Sequence, residues 1–228
     1  MAPLVIETLT ETEDELSVRE LFGPRYLRSL SMALLLLGLA YVCEHFANLY
    51  ELAYSLRPTS AYVGDLVLDN LPIVNLNLVI IEGALISIIA SVAFVFSRPR
   101  YIIFTLKALA LFIILRAFFV SLTHVGIYPG AIDPGFGFFS NVYSYLNFQT
   151  GFFFSGHTGL PFLMALIFWQ ELRVRATFLV LSCTFGIAVL LAHVHYSIDV
   201  FAAPFMAYSI FMIAKHLFKK DYELIEPV

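Results

Sequence analysis

Residues 176–217 read ATFLVLSCTFGIAVLLAHVHYSIDVFAAPFMAYSIFMIAKHL. Two apolar runs, 176–194 and 197–217, each approach the roughly 20 residues that a membrane helix needs. Between them lies the polar cluster His193-Val194-His195-Tyr196-Ser197-Ile198-Asp199. Ionisable groups beside membrane spans are costly, so this junction is a functional candidate by default. A second cluster, Ser155-Gly156-His157-Thr158, sits at the start of the preceding apolar run.

The rest of the chain fits that pattern. It has 228 residues, 60% of them hydrophobic and only 13% charged, where a soluble domain carries roughly 25% charge. Six spans are expected, at about 29–49, 76–97, 101–122, 152–171, 176–194 and 197–217. The fold class is therefore all-α: a polytopic bundle of six transmembrane helices over 29–217. It is flanked by an acidic segment, 1–28, and a short tail, 218–228. The net charge of −4 arises largely from Glu7, Glu11, Glu13, Asp14, Glu15 and Glu20. Glu13 to Phe22 has the pattern of a short amphipathic helix or a solvated tail. No basic tract calls for nucleic acid. The N-terminus lacks the basic-then-apolar leader pattern, so the first span is expected to be its own insertion signal. Cys43 and Cys183 lie in apolar runs and read as small buried hydrophobes.

Positive charge suggests the orientation. Arg19, Arg25 and Arg28 precede the first span; Arg98, Arg100 and Lys107 surround the second turn. Arg173 and Arg175 lie in the fourth turn, and Lys215, Lys219 and Lys220 follow the last span. With six spans all fall on one face, so both termini are expected in the cytoplasm. The opposite face carries only Arg57 in a loop and Arg116 near the end of the third span. His157, His195, Asp199 and Arg116 then share one depth near the outer leaflet. The longest loop, about 123–151, has no Lys or Arg, and long loops often form lids or site walls.

These residue types suit phosphoryl transfer. Asp199 lies four residues after His195, one turn away if the helix has begun. A carboxylate beside an imidazole fixes its tautomer and leaves the other nitrogen aimed at a substrate. His157 lies at a helix N-terminus, where free N–H groups attract anions, and Gly156 lets a headgroup approach the backbone. Arg116 offers a planar fork for phosphate oxygens. His45 reads as a helix-bridging residue paired with Glu44, and His124 as a loop residue at the rim. His193 is a structural residue or a substrate contact. Zinc held by His157, His193, His195 and Asp199 is the rival reading, but His193 and His195 would diverge on a helix. No metal or cofactor is expected.

The two clusters together resemble the sphingomyelin synthase family, a branch of the type 2 phosphatidic acid phosphatase superfamily. There the first motif and a second of the form HYT-x-DV-x-x-A carry a His, His, Asp triad. The matching residues are Ser155 to Thr158, then His195, Tyr196, Ser197, Asp199, Val200 and Ala203. Ala192-His193 resembles the approach to the second motif. Arg116 with Thr123 matches an Arg and a Thr seven apart, and Asp65 with Asp69 matches more weakly. The likeness covers about residues 58–205.

The chain also departs from that pattern. Gln149, Thr150 and Gly151 stand where the family has Cys-Gly-Asp. Val125-Gly126 replaces a Leu-Pro, and Pro204 a Tyr. The resemblance implies a phosphotransferase that moves phosphocholine or phosphoethanolamine from a phospholipid donor to ceramide or a similar lipid alcohol, through a phosphohistidine. It implies His157, His195 and Asp199 as catalytic residues. Arg116, Ser155, Gly156, Thr158 and Tyr196 would bind phosphate or headgroup, with Asp65, Asp69, Thr123 and His193 as substrate contacts. The alternative is a lipid phosphatase or phospholipase C-like hydrolase using the same triad. The superfamily's phosphatases usually carry an Arg six residues before the second His, and Val189 stands there. A transporter reading lacks support, because no discontinuous pair of half-spans or internal repeat is evident, and a non-catalytic membrane scaffold would not need the intact triad.

Overall fold

A computed structural model describes residues 23–55, 57, 60–122, 124–133 and 152–225. The acidic segment 1–22, with its expected Glu13–Phe22 helix, lies outside these residues. So do Thr123, the stretch 134–151 with Gln149, Thr150 and Gly151, and the last three residues.

The elements follow in chain order: α1 (Pro24–Ser55), α2 (Ala84–Phe96), α3 (Pro99–Leu122), α4 (Gly156–Ile167), α5 (Leu172–Leu191), α6 (Ser197–Leu217) and the short α7 (Lys219–Tyr222). A 3-10 turn, Leu68–Asn70, precedes a π-helical turn, Leu78–Gly83, that runs into α2. No strand occurs among the described residues. Five helical stretches are long and apolar enough to cross a membrane: Pro24–Tyr54, Leu78–Phe96, Pro99–Leu122, Leu172–Leu191 and Ser197–Leu217. The chain is a polytopic helical membrane protein. Its exposed apolar side chains, such as Leu35, Leu78 and Phe205, are what a bundle presents to lipid rather than water.

The expected fourth span is helical over a shorter stretch than expected, although residues 152–171 still run from the His157 end of the bundle to the Glu171 end. Sequence placed it at 152–171, but α4 has 12 residues. At about 1.5 Å per residue it rises about 18 Å, against a hydrocarbon core of about 30 Å. The cause lies in the preceding residues. Phe152, Phe153 and Phe154 are apolar enough for a span, yet the segment is bonded to α6. The Phe153 amide donates to Asp199 Oδ1 at 2.9 Å, and the Ser155 amide to the Asp199 carbonyl at 2.9 Å. Phe153 takes φ 67°, unusual for a residue with a side chain. Helix starts only where Ser155 turns extended and its Oγ accepts from the Thr158 amide at 3.4 Å, a standard N-cap.

Helix α3 is the most enclosed span. Phe104, Ala108 and Phe112 on it are buried against α4 and α6. Gly159 lets α4 close on α3, because a Cβ there would come within 2.8 Å of the Phe112 ring. Helix α1 lies along α3 with Ala33, Ala40 and Ala47 buried at a seven-residue repeat. Small residues at that spacing let two helix backbones approach closely.

At the end carrying Arg98 and Glu171, charges are paired off. Arg98 bonds Glu171 at 2.6 Å. Lys107 bonds Asp221 at 2.7 Å, and Ser29 Oγ donates to the same carboxylate at 2.7 Å while accepting from Lys107 at 2.7 Å. Two expectations change here. Lys107 is buried inside the bundle rather than displayed on a basic face, because α7 folds back and brings Asp221 to it. The start of the tail is helical and partly packed: the Tyr222 ring lies 5.0 Å from Phe104, while Lys219 and Lys220 stay exposed. The cysteine expectation also changes: Cys183 is exposed and Cys43 half-buried. In a membrane protein, apolar surroundings include the lipid-facing surface.

Candidate active site

The opposite end gathers the two sequence clusters. His195 precedes α6 rather than lying in it, since the helix starts at Ser197. Asp199, at the third helical position, points back over that turn. Its Oδ2 accepts from the Tyr196 amide at 3.1 Å and lies 3.3 Å from His195 Nδ1. Its Oδ1 holds the Phe153 amide. At 2% exposure this carboxylate is almost sealed, so its hydrogen bonds and the helix N-terminus must hold it. With Nδ1 so engaged, His195 Nε2 is the nitrogen left for chemistry.

The His157 ring lies 6.0 Å from the His195 ring, inclined by 69°. Its other neighbours are the Phe185 ring at 6.3 Å and the Ile80 backbone, with which it hydrogen-bonds. Ile80 belongs to the π-helical turn, and such turns recur at functional sites. Arg116 comes in from α3. Its Nε donates to the Phe154 carbonyl at 3.2 Å and lies 3.7 Å from where a Cβ on Gly156 would stand. Both histidines, Asp199 and Arg116 therefore converge at the start of α4. There the first amides of the helix have no intrahelical partner.

Other expected site residues take architectural positions. Ser155 is fully buried as the N-cap, and Thr158 is buried against α5, where Ser182 donates to its carbonyl at 2.7 Å. Tyr196 links two outer segments: its hydroxyl donates to the Gly126 carbonyl at 2.7 Å and accepts from the Val63 amide at 3.2 Å. Asp65 reaches the first amide of α6, with Ser197 N–H donating to Oδ2 at 2.7 Å, while Oδ1 accepts from Val67 and Leu68. Burial alone would raise the Asp65 carboxyl, but these bonds outweigh it and hold it below its usual range. Asp69 accepts from the Tyr128 hydroxyl, and that bond is the main reason the phenol is pushed up to about 12. A pocket of about 310 Å³ opens beside Asp65, Phe152, Tyr196 and Asp199.

His193 turns away from the pair. It sits at φ 55° in the turn after α5, with its ring 5.3 Å from Tyr128. It is 3% exposed, and neither ring nitrogen has a hydrogen-bond partner among the described residues. His124 is exposed and stacked on Tyr54 at 3.8 Å, at the rim as expected.

One expected pairing is corrected. Glu44 ion-pairs with Arg116, while His45 is exposed and stacked on Tyr41. The two neighbours point apart because successive helical residues diverge by about 100°. Sequence reading missed Glu44 as the partner of Arg116. The readable signal was the set Glu44, Asn48 and Glu51 at i, i+4 and i+7, one face of an apolar helix.

Comparison with known proteins bears on the same residues. No curated protein and no solved structure matches the chain. Residues 150–217 match the family model described as PAP2 superfamily C-terminal. That span is under a third of the chain and holds both histidines, Asp199 and helices α4 to α6. The match supports the type 2 phosphatidic acid phosphatase superfamily, and with it an enzyme of lipid phosphatase or phosphotransferase type.

Proposed function

We propose that the protein is a lipid phosphotransferase that moves the phosphorylated headgroup of a phospholipid to ceramide or a similar lipid alcohol. The observation that carries this reading is the pairing of His195 with Asp199 through Nδ1, with His157 facing it 6.0 Å away. In the first step His195 Nε2 forms a bond to phosphorus, and the bond from phosphorus to the diacylglycerol oxygen breaks. His157 gives that oxygen a proton and is left neutral. In the second step neutral His157 takes the proton of the acceptor hydroxyl. The hydroxyl oxygen then attacks phosphorus and the N–P bond breaks. Dividing the transfer this way is ordinary covalent catalysis. Arg116 and the first amides of α4 would stabilise the charge on the phosphoryl oxygens.

The hydrolytic alternative uses the same triad with water as acceptor. The transfer reading is favoured by Val189, which is fully buried in an apolar cluster where the resemblance implies an Arg in phosphatases. Positive charge at 98–100, 173–175 and 219–220 supports cytoplasmic termini and a site on the exoplasmic side.

The test is product analysis on purified protein in mixed micelles. Phosphatidylcholine and phosphatidylethanolamine are supplied with and without ceramide, beside a His195→Ala sample. Headgroup-bearing ceramide together with diacylglycerol, absent from the variant, is the expected result. Diacylglycerol or a dephosphorylated lipid formed without ceramide would instead establish hydrolysis.

A further inference from the structure

Helix α1 brings an acidic face to the site. Glu44, Asn48 and Glu51 are all buried, at 8%, 6% and 3% exposure, on the side of α1 that packs against Ala117 and Val120 of α3. Glu44 Oε1 pairs with Arg116 Nη1, while Glu44 Oε2 is buried with no hydrogen-bond partner among the described residues. Glu51 also lies within electrostatic reach of Arg116. Glu44 thus pairs with the guanidinium through one oxygen and leaves the other unpartnered among the described residues, with Glu51 on the same helix face. A charged carboxylate held inside a bilayer with half of its bonding capacity unused is costly. The same guanidinium reaches the other way, to the Phe154 carbonyl and the backbone of Gly156. It therefore bridges the Glu44 carboxylate and the anion-attracting start of α4.

We propose that Glu44, with Glu51 behind it, is the positioning residue that orients Arg116 and sets its affinity for a phosphate-bearing ligand, making α1 a wall of the site. The inference rests on reading Arg116 as the headgroup-phosphate residue. It has two consequences of opposite sign. The Glu44 carboxylate fixes the plane of the guanidinium, which matters for two-point contact with phosphoryl oxygens. It also opposes the incoming anion, which keeps phosphate from binding so tightly that release becomes slow. Removing one carboxylate charge without changing shape therefore strengthens anion binding and weakens catalysis together.

The experiment uses the full-length protein in lipid nanodiscs, as wild type, Glu44→Gln and Glu51→Gln. Three quantities are read: kcat and KM for phosphatidylcholine with ceramide, the inhibition constant for orthovanadate, and the melting temperature. For Glu44→Gln the orthovanadate constant is expected to fall about tenfold, as loss of one partly buried charge predicts, and kcat to fall by a similar factor. Glu51→Gln moves both in the same directions by less, and carries the test if Glu44→Gln does not fold. Gln variants that melt lower but keep the wild-type orthovanadate constant and kcat overturn the inference, because a merely structural pair behaves that way. A wild type that neither responds to orthovanadate nor turns over phospholipid overturns the phosphate reading and this inference with it. A responsive wild type matched by its Gln variants overturns the inference alone.

Discussion

Helix α3 carries two buried cations nine residues apart, and their surroundings differ. Lys107 meets one carboxylate, Asp221, and one hydroxyl, Ser29, which also bonds that carboxylate. Charge and hydrogen bonds there are closed on themselves. Arg116 meets Glu44, with Glu51 near, and extends to a backbone that starts a helix beside two histidines. There one oxygen of Glu44 is left without a hydrogen-bond partner among the described residues. Removing one partner of a buried pair exposes a structural cost. A pair that extends to a helix N-terminus is, on the proposed function, where a change should alter binding as well as stability. Burial of charge does not by itself mark function; an open bonding position beside it is the feature to test.

The largest expected effect lies wholly at the Arg116 end. His195→Ala should lower turnover by about 10³-fold or more while leaving the melting temperature close to wild type. Near-normal turnover of that variant would remove the covalent mechanism. Next, Arg116→Lys keeps the charge but loses the planar fork, and should lower kcat by about 10²-fold. Steady-state kinetics with unchanged expression would check it. At the other end the sign of the comparison reverses. Asp221→Ala should destabilise the fold by about 3 kcal/mol, while turnover per folded molecule stays within about twofold. A double change, Lys107→Met with Asp221→Leu, should recover much of that loss in thermal unfolding. If Asp221→Ala instead lowers kcat in the folded fraction, the two ends are not separable as described.

The smallest effect concerns pH. The hydrogen bonds on Asp65 keep its folded carboxyl below the usual 3.8. The folded state therefore binds fewer protons than the unfolded one, and stability from this group is fully present above that usual value. It is lost as pH falls through the lower folded value. Melting curves between pH 6 and 3 should show an acid limb that is shallower in Asp65→Asn. An identical limb in both proteins would show that Asp65 contributes no such linkage.

Much of this arrangement was legible in sequence, for local reasons. Long apolar runs announce helices in lipid, and the His195 to Asp199 spacing is short enough to read without a fold. Arg116 was legible as a lone cation near a span end. The rest depends on partners far along the chain. Glu44 lies 72 residues from Arg116, and Lys107 lies 114 from Asp221. Charge counting alone therefore assigned Lys107 to a face and Glu44 to its neighbour His45. The length of α4 was misread for the same reason. Three phenylalanines look like membrane helix unless one knows that the Asp199 carboxylate claims the Phe153 amide.

That bond also orders the making of the protein. Phe153 and Asp199 are 46 residues apart, and the later residue reaches the membrane last. While the chain is being synthesised, the lead-in to α4 has its contacts with α3, the Arg116 bond to the Phe154 carbonyl among them, but lacks the Asp199 bond until α6 begins to emerge. One carboxylate then does two things at once, closing the lead-in and meeting His195 Nδ1. A chain halted after α5 would hold most of its membrane-embedded mass and lack the His195–Asp199 pair on which the proposed chemistry rests.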